Sequence, residues 1–192
     1  MDSRRTRIMI EIALSVALAT VLSMFTVWKM PQGGSVSLGM LPLFVIAFRR
    51  GLGPGLVTGV LYGVVDLFID PYPPVHWVQP ILDYPVAYFL VGFAGIVKAP
   101  LVRSLDAART LTAGLLMAGG VLVGSLGRYA AHFASGIVFF GEYAPEGQPV
   151  WLYSALYNLY VPVSAAASLV AILAVIPLLH RVMPTDTGRA GQ

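Results

Sequence analysis

Apolar residues in this chain come in long blocks separated by short polar punctuation, without the period-2 alternation of half-buried strands. Five blocks approach or exceed the roughly 20 residues a helix needs to cross a bilayer. They run Ile8–Trp28, Leu52–Ile69, Val78–Val97, Leu111–Phe140 and Val150–Leu179. The last two are 30 residues each, so tilt, a kink or extension past the membrane is expected. Pro162 supplies a kink in the final block, because it removes a backbone donor. A sixth block, Leu38–Phe48, has 11 residues ahead of Arg49-Arg50. By length it is re-entrant or a short helix shielded by its neighbours.

The loops favour a crossing. With it, Arg4, Arg5, Arg7, Arg49, Arg50, Lys98, Arg103, Arg109, Arg181 and Arg189 share one side, against Lys29 alone on the other. That asymmetry fits the positive-inside rule. The expected architecture is therefore an all-α integral membrane protein, one domain over residues 1–192. It has six transmembrane helices, both termini cytoplasmic and a short second helix. External loops then cover Lys29–Ser37, Asp70–Trp77 and Gly141–Pro149. Trp28, Trp77 and Trp151 stand at outer helix ends, where an aromatic belt is the ordinary explanation and closure over a ligand the sharper one.

Composition agrees. The 192 residues are 57% hydrophobic and 11% charged, far from the about 25% charge of a soluble domain. The net charge of +3 is scattered, with no basic block for nucleic acid. Cysteine is absent, which excludes disulfides and thiolate chemistry. Arg4, Arg5 and Arg7 before an apolar run resemble a signal peptide. The run is too long for an h-region and lacks a small-x-small site before Pro31, so it reads as a retained first helix.

Against this apolar background, Asp66, Asp83, Arg128 and His132 stand out on three different spans. Counting 1.5 Å per residue from the outer helix ends puts them, with Asn158, roughly 6–18 Å deep, in the outer half of the membrane. Intramembrane charges at one depth point to a polar pocket. Glu11 lies near the cytoplasmic start of the first span, where a carboxylate suits a helix N-terminus. Arg128, His132, Gly136 and Phe140 recur every four residues and so share one side of their helix. Gly136 would let a flat ring approach the backbone, with Phe140 stacked above. Two carboxylates against one arginine leave a local excess of one negative charge when His132 is neutral. With Tyr62, Tyr72, Tyr84, Tyr153 and Phe140 as π faces, the set suits a flat, singly cationic heteroaromatic compound.

Other readings remain open on residue types alone. Asp83 and Arg128 can form an internal salt bridge beside a hydrogen-bonded core His and Asn. Asp83 and His132 can serve as an acid–base pair in an intramembrane enzyme, although no nucleophile motif or metal cluster accompanies them. No phosphate-cradling G-x-x-x-x-G-K-[ST] occurs, so the chain carries no recognisable ATP-hydrolysing machinery.

A series of short fragments, in order, resembles one family. They are Glu11-Ile12-Ala13, Ser37-Leu38-Gly39-Met40-Leu41-Pro42, Ala47-Phe48-Arg49-Arg50-Gly51, Asp83-Tyr84, Val91-Gly92-Phe93-Ala94-Gly95, His132-Phe133-Ala134-Ser135-Gly136 and Tyr153 to Asn158. Together they resemble the thiamine-specific substrate-binding (S) subunits of energy-coupling factor (ECF) vitamin transporters, the ThiT family. The resemblance implies a non-enzymatic, multi-pass protein of the bacterial plasma membrane that binds thiamine under its first external loop. It implies a site of Asp83, Tyr84, Arg128, His132, Gly136, Phe140, Tyr153 and Asn158, with Tyr62, Tyr72 and Trp28 as aromatic neighbours. Asp83 stands for a longer Glu, Arg128 for Lys, and Phe140 and Tyr62 for Trp, each changing reach while keeping character. A thiamine precursor or another vitamin is the alternative ligand.

The resemblance also supplies partners: a transmembrane coupling subunit and two cytoplasmic ATPases that use the ATP, with lipid around and no nucleic acid. No cofactor or metal is implied for this chain. Docking is expected at a small-residue A-x-x-x-A stripe, matched by Ala13 and Ala17, since small residues let helices approach closely. Ordinary packing within the chain is the plainer account of that spacing.

Overall fold

The computed structural model describes residues 3–69 and 72–174. The expected helix end at Leu179, with His180, Arg181, Arg189, Asp70 and Pro71, lies outside them. The described chain is helical apart from one small hairpin. Its elements are α1 (Ser3–Met24), β1 (Trp28–Lys29), β2 (Ser35–Val36), α2 (Met40–Arg50), α3 (Leu52–Ile69), α4 (Val78–Asp106), α5 (Thr110–Phe139) and α6 (Val150–Ala174). Among the described residues, five helices are long and apolar enough to cross a membrane: α1, α3, α4, α5 and α6.

The helix α2 packs against α1, α3, α4 and α6. Met40, Leu43, Phe44, Ala47 and Phe48 are fully buried there, and Phe44 stacks on Phe48. Neighbours thus shield an element too short to face lipid alone. Its end carries Arg49 and Arg50, whose guanidinium groups both grip the Glu11 carboxylate on α1 (Arg49 Nε 3.1 Å from Oε2). This corrects the expectation for Glu11. α1 is already helical at Ser3, ahead of the expected Ile8, so Glu11 sits two turns or more inside the helix and is held by arginines, not by a helix N-terminus.

At its other end α1 stops at Met24, four residues before the expected Trp28. The chain instead forms the hairpin, in which Trp28 pairs with Val36 and Lys29 with Ser35. Gly33 and Gly34 both take positive φ at its tip, a conformation L side chains resist.

α3 and α4 approach at backbone distance. Gly55, Gly59 and Gly63 follow one another every four residues along α3. A Cβ at Gly59 would stand 2.1 Å from the Tyr88 carbonyl oxygen, and one at Gly63 2.6 Å from that of Tyr84. Packing this close brings the Asp83–Tyr88 stretch of α4 beside Asp66 on α3. α4 is also irregular there. Pro85 lacks an N–H, and residues Leu82–Val86 widen into a π turn in which the Ala87 N–H reaches back to the Leu82 carbonyl. Residues Gly92–Val97 then tighten into a 3₁₀ stretch, and the rod continues to Asp106, beyond the expected Val97.

Proline also shapes α6, one turn upstream of the expected place. The break falls at Asn158–Leu159 rather than at Pro162. Pro162 cannot donate to the Asn158 carbonyl four residues back, and its ring crowds that oxygen. The Val161 N–H bonds it instead at 3.0 Å. The break leaves Asn158 and Tyr160 turned inward, both buried.

Candidate functional site

A cavity of about 440 Å³ lies between α3, α4, α5 and α6 beneath the hairpin. Asp66, Asp83, Arg128 and His132 all line it, so the constellation picked out from sequence converges in space. Tyr72, Tyr84, Gly136, Phe140, Tyr153 and Asn158 line it too.

Asp83 is the hub. Its Oδ1 is 3.1 Å from His132 Nδ1, while Oδ2 accepts from Ser135 Oγ at 2.9 Å and from Gln79 Nε2 at 2.7 Å. The other ring nitrogen of His132, Nε2, lies 3.3 Å from Arg128 Nε, which can only donate. Nε2 therefore presents a lone pair, the proton sits on Nδ1, and the ring is neutral. Asp83 is thus held by neutral donors, with acceptor capacity left on Oδ1. His132 has both nitrogens engaged and offers a ligand only its ring face.

Arg128 belongs to a second group. Its Nη2 donates to the Tyr88 hydroxyl at 3.0 Å, and its Cζ lies 4.2 Å from the centroid of the same ring. The Tyr88 hydroxyl in turn donates to Asp66 Oδ2 at 3.0 Å, and Tyr62 donates to Asp66 Oδ1 at 3.2 Å. The Asp83–Arg128 salt bridge open on sequence grounds does not form. His132 stands between the two, and Arg128 turns toward Tyr88 and Asp66. The inner cavity carries one net negative charge, localised on Asp83. Lys29 also lines the cavity but is exposed at its mouth, where water screens it.

The roof is latched to α6. Tyr157 Oη accepts from the Gln32 N–H at 2.8 Å and donates to the Gly33 carbonyl at 3.0 Å. Ser164 Oγ bonds Ser35 and Ser37 in the same way. Gly34 packs so tightly on Tyr160 that a Cβ would meet the ring at 2.6 Å. At the rim the Tyr72 ring lies 6.0 Å from Phe140, and the Tyr72 N–H bonds Tyr84 Oη at 3.3 Å. Tyr72 lies in the α3–α4 loop, and its phenol is pushed above the ordinary value, chiefly by hydrogen bonding to Tyr143. It stays protonated at neutral pH.

Three of the aromatic and glycine expectations change. Trp28 does not line the cavity and is 65% exposed. Neighbouring residues of a strand face opposite ways, and it is Lys29 that borders the cavity mouth. Trp77 and Trp151 are similarly exposed, as an interfacial belt would have them. Tyr62 is fully buried one turn along α3 from Asp66, supporting that carboxylate without reaching the cavity. Gly136 lines the cavity, but the space its missing Cβ leaves is filled by Ser154, whose Oγ would be 2.2 Å away. It admits α6, not a ligand ring.

Tyr157, which begins the last helix with Tyr153 and Asn158, lines the cavity as well, while sequence reading missed Gln79, Tyr88, Ser135 and Tyr160. Gln79 and Ser135 were discoverable, lying four residues before Asp83 and three after His132, on the same helix faces. The tyrosines gave no local signal. Ala13 and Ala17 do not line this cavity and border a shallow apolar groove between α1 and α3, with Val16, Thr20, Leu61 and Val65. Among the described residues no cluster of His, Asp and Glu could hold a metal ion.

A bundle of lipid-length helices around a roofed, polar, ligand-sized cavity defines a membrane protein built to hold a small solute. Comparison with known proteins gives the particular family. Residues 9–185 match the family model described as Thiamine transporter protein (Thia_YuaJ), and the chain belongs to that family. It is 45% identical over 155 residues to thiamine transporter ThiT of Bacillus subtilis, covering 78% of this chain and 79% of that one. It is 32% identical over 180 residues to thiamine transporter ThiT of Lacticaseibacillus paracasei, covering 92% and 88%. A solved structure of ThiT from Listeria monocytogenes superposes with a TM-score of 0.87 at 28% identity, covering 95% of this chain and all of that one. The family and the five apolar helices make this a multi-pass bacterial plasma-membrane protein engaged in transport rather than catalysis.

Proposed function

We propose that this chain is the substrate-binding (S) subunit of an ECF-type transporter and captures extracellular thiamine for ATP-driven uptake. One observation carries the reading. Asp83 is a carboxylate deep in the cavity, oriented by three neutral donors, while the buried cation is drawn off to Tyr88 and Asp66. Thiamine pairs an aminopyrimidine, which donates hydrogen bonds, with a thiazolium that carries one positive charge. Asp83 suits both halves. A cavity of about 440 Å³ falls within the about 300–1,000 Å³ usual for small-molecule sites.

The other residues take supporting roles. His132 offers a ring face, and Tyr84, Tyr153, Phe140 and Tyr72 wall the cavity with aromatic surface suited to a flat cation. Asn158 donates its amide hydrogens to Ser154 and the His132 carbonyl, leaving its side-chain oxygen to accept. Arg128 balances Asp66 and Tyr62 buttresses it. The roof latched by Tyr157 separates the bound ligand from water.

In the membrane, α2 serves as the second of six crossings, with both termini and Arg49-Arg50 on the cytoplasmic side. The loop cations support that orientation. The energising partners are a membrane coupling subunit, docked over Ala13 and Ala17, and two cytoplasmic ATPases. The apolar groove beside those alanines is compatible with a partner helix laid along α1.

Calorimetric titration of thiamine into the purified protein in detergent tests the reading. Saturable one-to-one binding is expected, and a pyrimidine lacking the thiazolium should bind more weakly because Asp83 then has no cation to meet. Absence of thiamine binding by well-folded protein would overturn the assignment.

A further inference from the structure

We propose that Asp66 and Tyr88 are positioning residues that hold Arg128 away from Asp83, keeping that carboxylate available to a cationic ligand. The inference rests on the thiamine-binding reading and adds to it a reason for the second intramembrane carboxylate.

The geometry is a competition between two anions for one cation. Asp83 and Asp66 lie on either side of Arg128, which is buried on α5 between the Tyr88 ring of α4 and the Tyr160 ring of α6. On one side, His132 separates Arg128 from Asp83, with Nδ1 on the carboxylate and Nε2 on the guanidinium. On the other, the Tyr88 hydroxyl relays Arg128 to Asp66 through two bonds of 3.0 Å, and the Tyr88 ring lies 4.2 Å from Cζ. Tyr62 orients the remaining oxygen of Asp66 toward this task. A buried guanidinium needs an anionic counter-charge as well as hydrogen bonds, because leaving a buried charge uncompensated is strongly unfavourable. If Asp66 loses its charge, the anion left within the cluster is Asp83. Arg128 then turns toward it, displaces His132 and neutralises the group that meets the ligand. The Asp83–Arg128 salt bridge is thus the collapsed arrangement, and Asp66 with Tyr88 prevents it.

A double-mutant cycle tests this. Asp66→Asn should weaken thiamine binding about tenfold or more when Arg128 is present. In an Arg128→Gln background the same change should leave affinity within about threefold, because no cation remains to collapse. Equal loss in both backgrounds would mean that Asp66 acts on the ligand directly, and the positioning role would be wrong. A second readout needs no ligand. In protein labelled with ¹⁵N-histidine, wild-type His132 should show a protonated Nδ1 and an unprotonated Nε2 accepting a hydrogen bond. Asp66→Asn, or the milder Tyr88→Phe, should shift the Nε2 resonance as Arg128 leaves. Unchanged His132 signals in both variants would overturn the inference. Failure of wild-type protein to bind thiamine would instead sink the functional reading, and the spectra would still judge the Asp66 claim.

Discussion

Replacing Asp83 by Asn removes one charge from the middle of the cavity and almost nothing else. The two side chains have the same size, so any effect on binding isolates the charge. The local hydrogen bonds can be rebuilt. Gln79 donates an amide hydrogen to Asp83 while its own Oε1 is buried without a partner. Rotating that amide half a turn presents Oε1 to the new N–H group, and the Ser135 hydroxyl can turn to suit. His132 keeps an oxygen acceptor for its Nδ1–H. Stability should therefore change little, with a melting temperature within a few degrees of wild type. Binding should not be spared. A hydrogen bond to a charged group contributes about 1.5–3 kcal/mol, and each 1.4 kcal/mol is tenfold in affinity, so Asp83→Asn should weaken thiamine roughly ten- to a hundredfold. Calorimetric titration of both proteins, with thermal melts alongside, measures the two quantities separately. Affinity retained within about threefold in a folded variant would refute the reasoning and move the cation's partner elsewhere.

Four further outcomes are expected. Ala13→Trp or Ala17→Trp should impair thiamine uptake by cells while leaving binding by the isolated subunit near normal, because neither lines the cavity; parallel loss would mark the stripe as internal packing. A cysteine placed at Arg50 should resist an impermeant reagent applied to intact cells while one at Gly147 labels readily, and labelling at Arg50 would overturn the six-span topology. Tyr157→Phe removes that residue's two bonds to the roof, each contributing about 0.5–1.5 kcal/mol, so release of radiolabelled thiamine should quicken roughly five- to a hundredfold; an unchanged rate would show that the Tyr157 latch does not control escape. Phe140→Ala should weaken thiamine less than Asp83→Asn does in the same titration, since a rim ring contributes stacking alone, and Phe140→Trp should tighten it by enlarging the platform.

The sequence alone determined the class, because lipid-length apolar runs admit few structures other than spanning helices. It also selected Asp66, Asp83, Arg128 and His132, because a charge inside such a run calls for a partner or a ligand. The start of α3 at Leu52 matched to the residue, since Gly51, with its positive φ, punctuates it sharply. What depended on contact between helices was not written locally. Nothing around Arg128 says that Tyr88, forty residues away, will take its Nη2, or that Tyr157 will reach the hairpin across more than a hundred residues. The π turn at Pro85 and the break before Pro162 follow from missing backbone donors, yet how each rotates its neighbours depends on what the helix packs against. Whether Arg128 pairs with Asp83 or with Asp66 was equally open in sequence, both being carboxylates within reach of one long side chain. Only the close approach of α3 to α4 over Gly59 and Gly63 brings Asp66 and Tyr88 together and settles which anion the arginine serves.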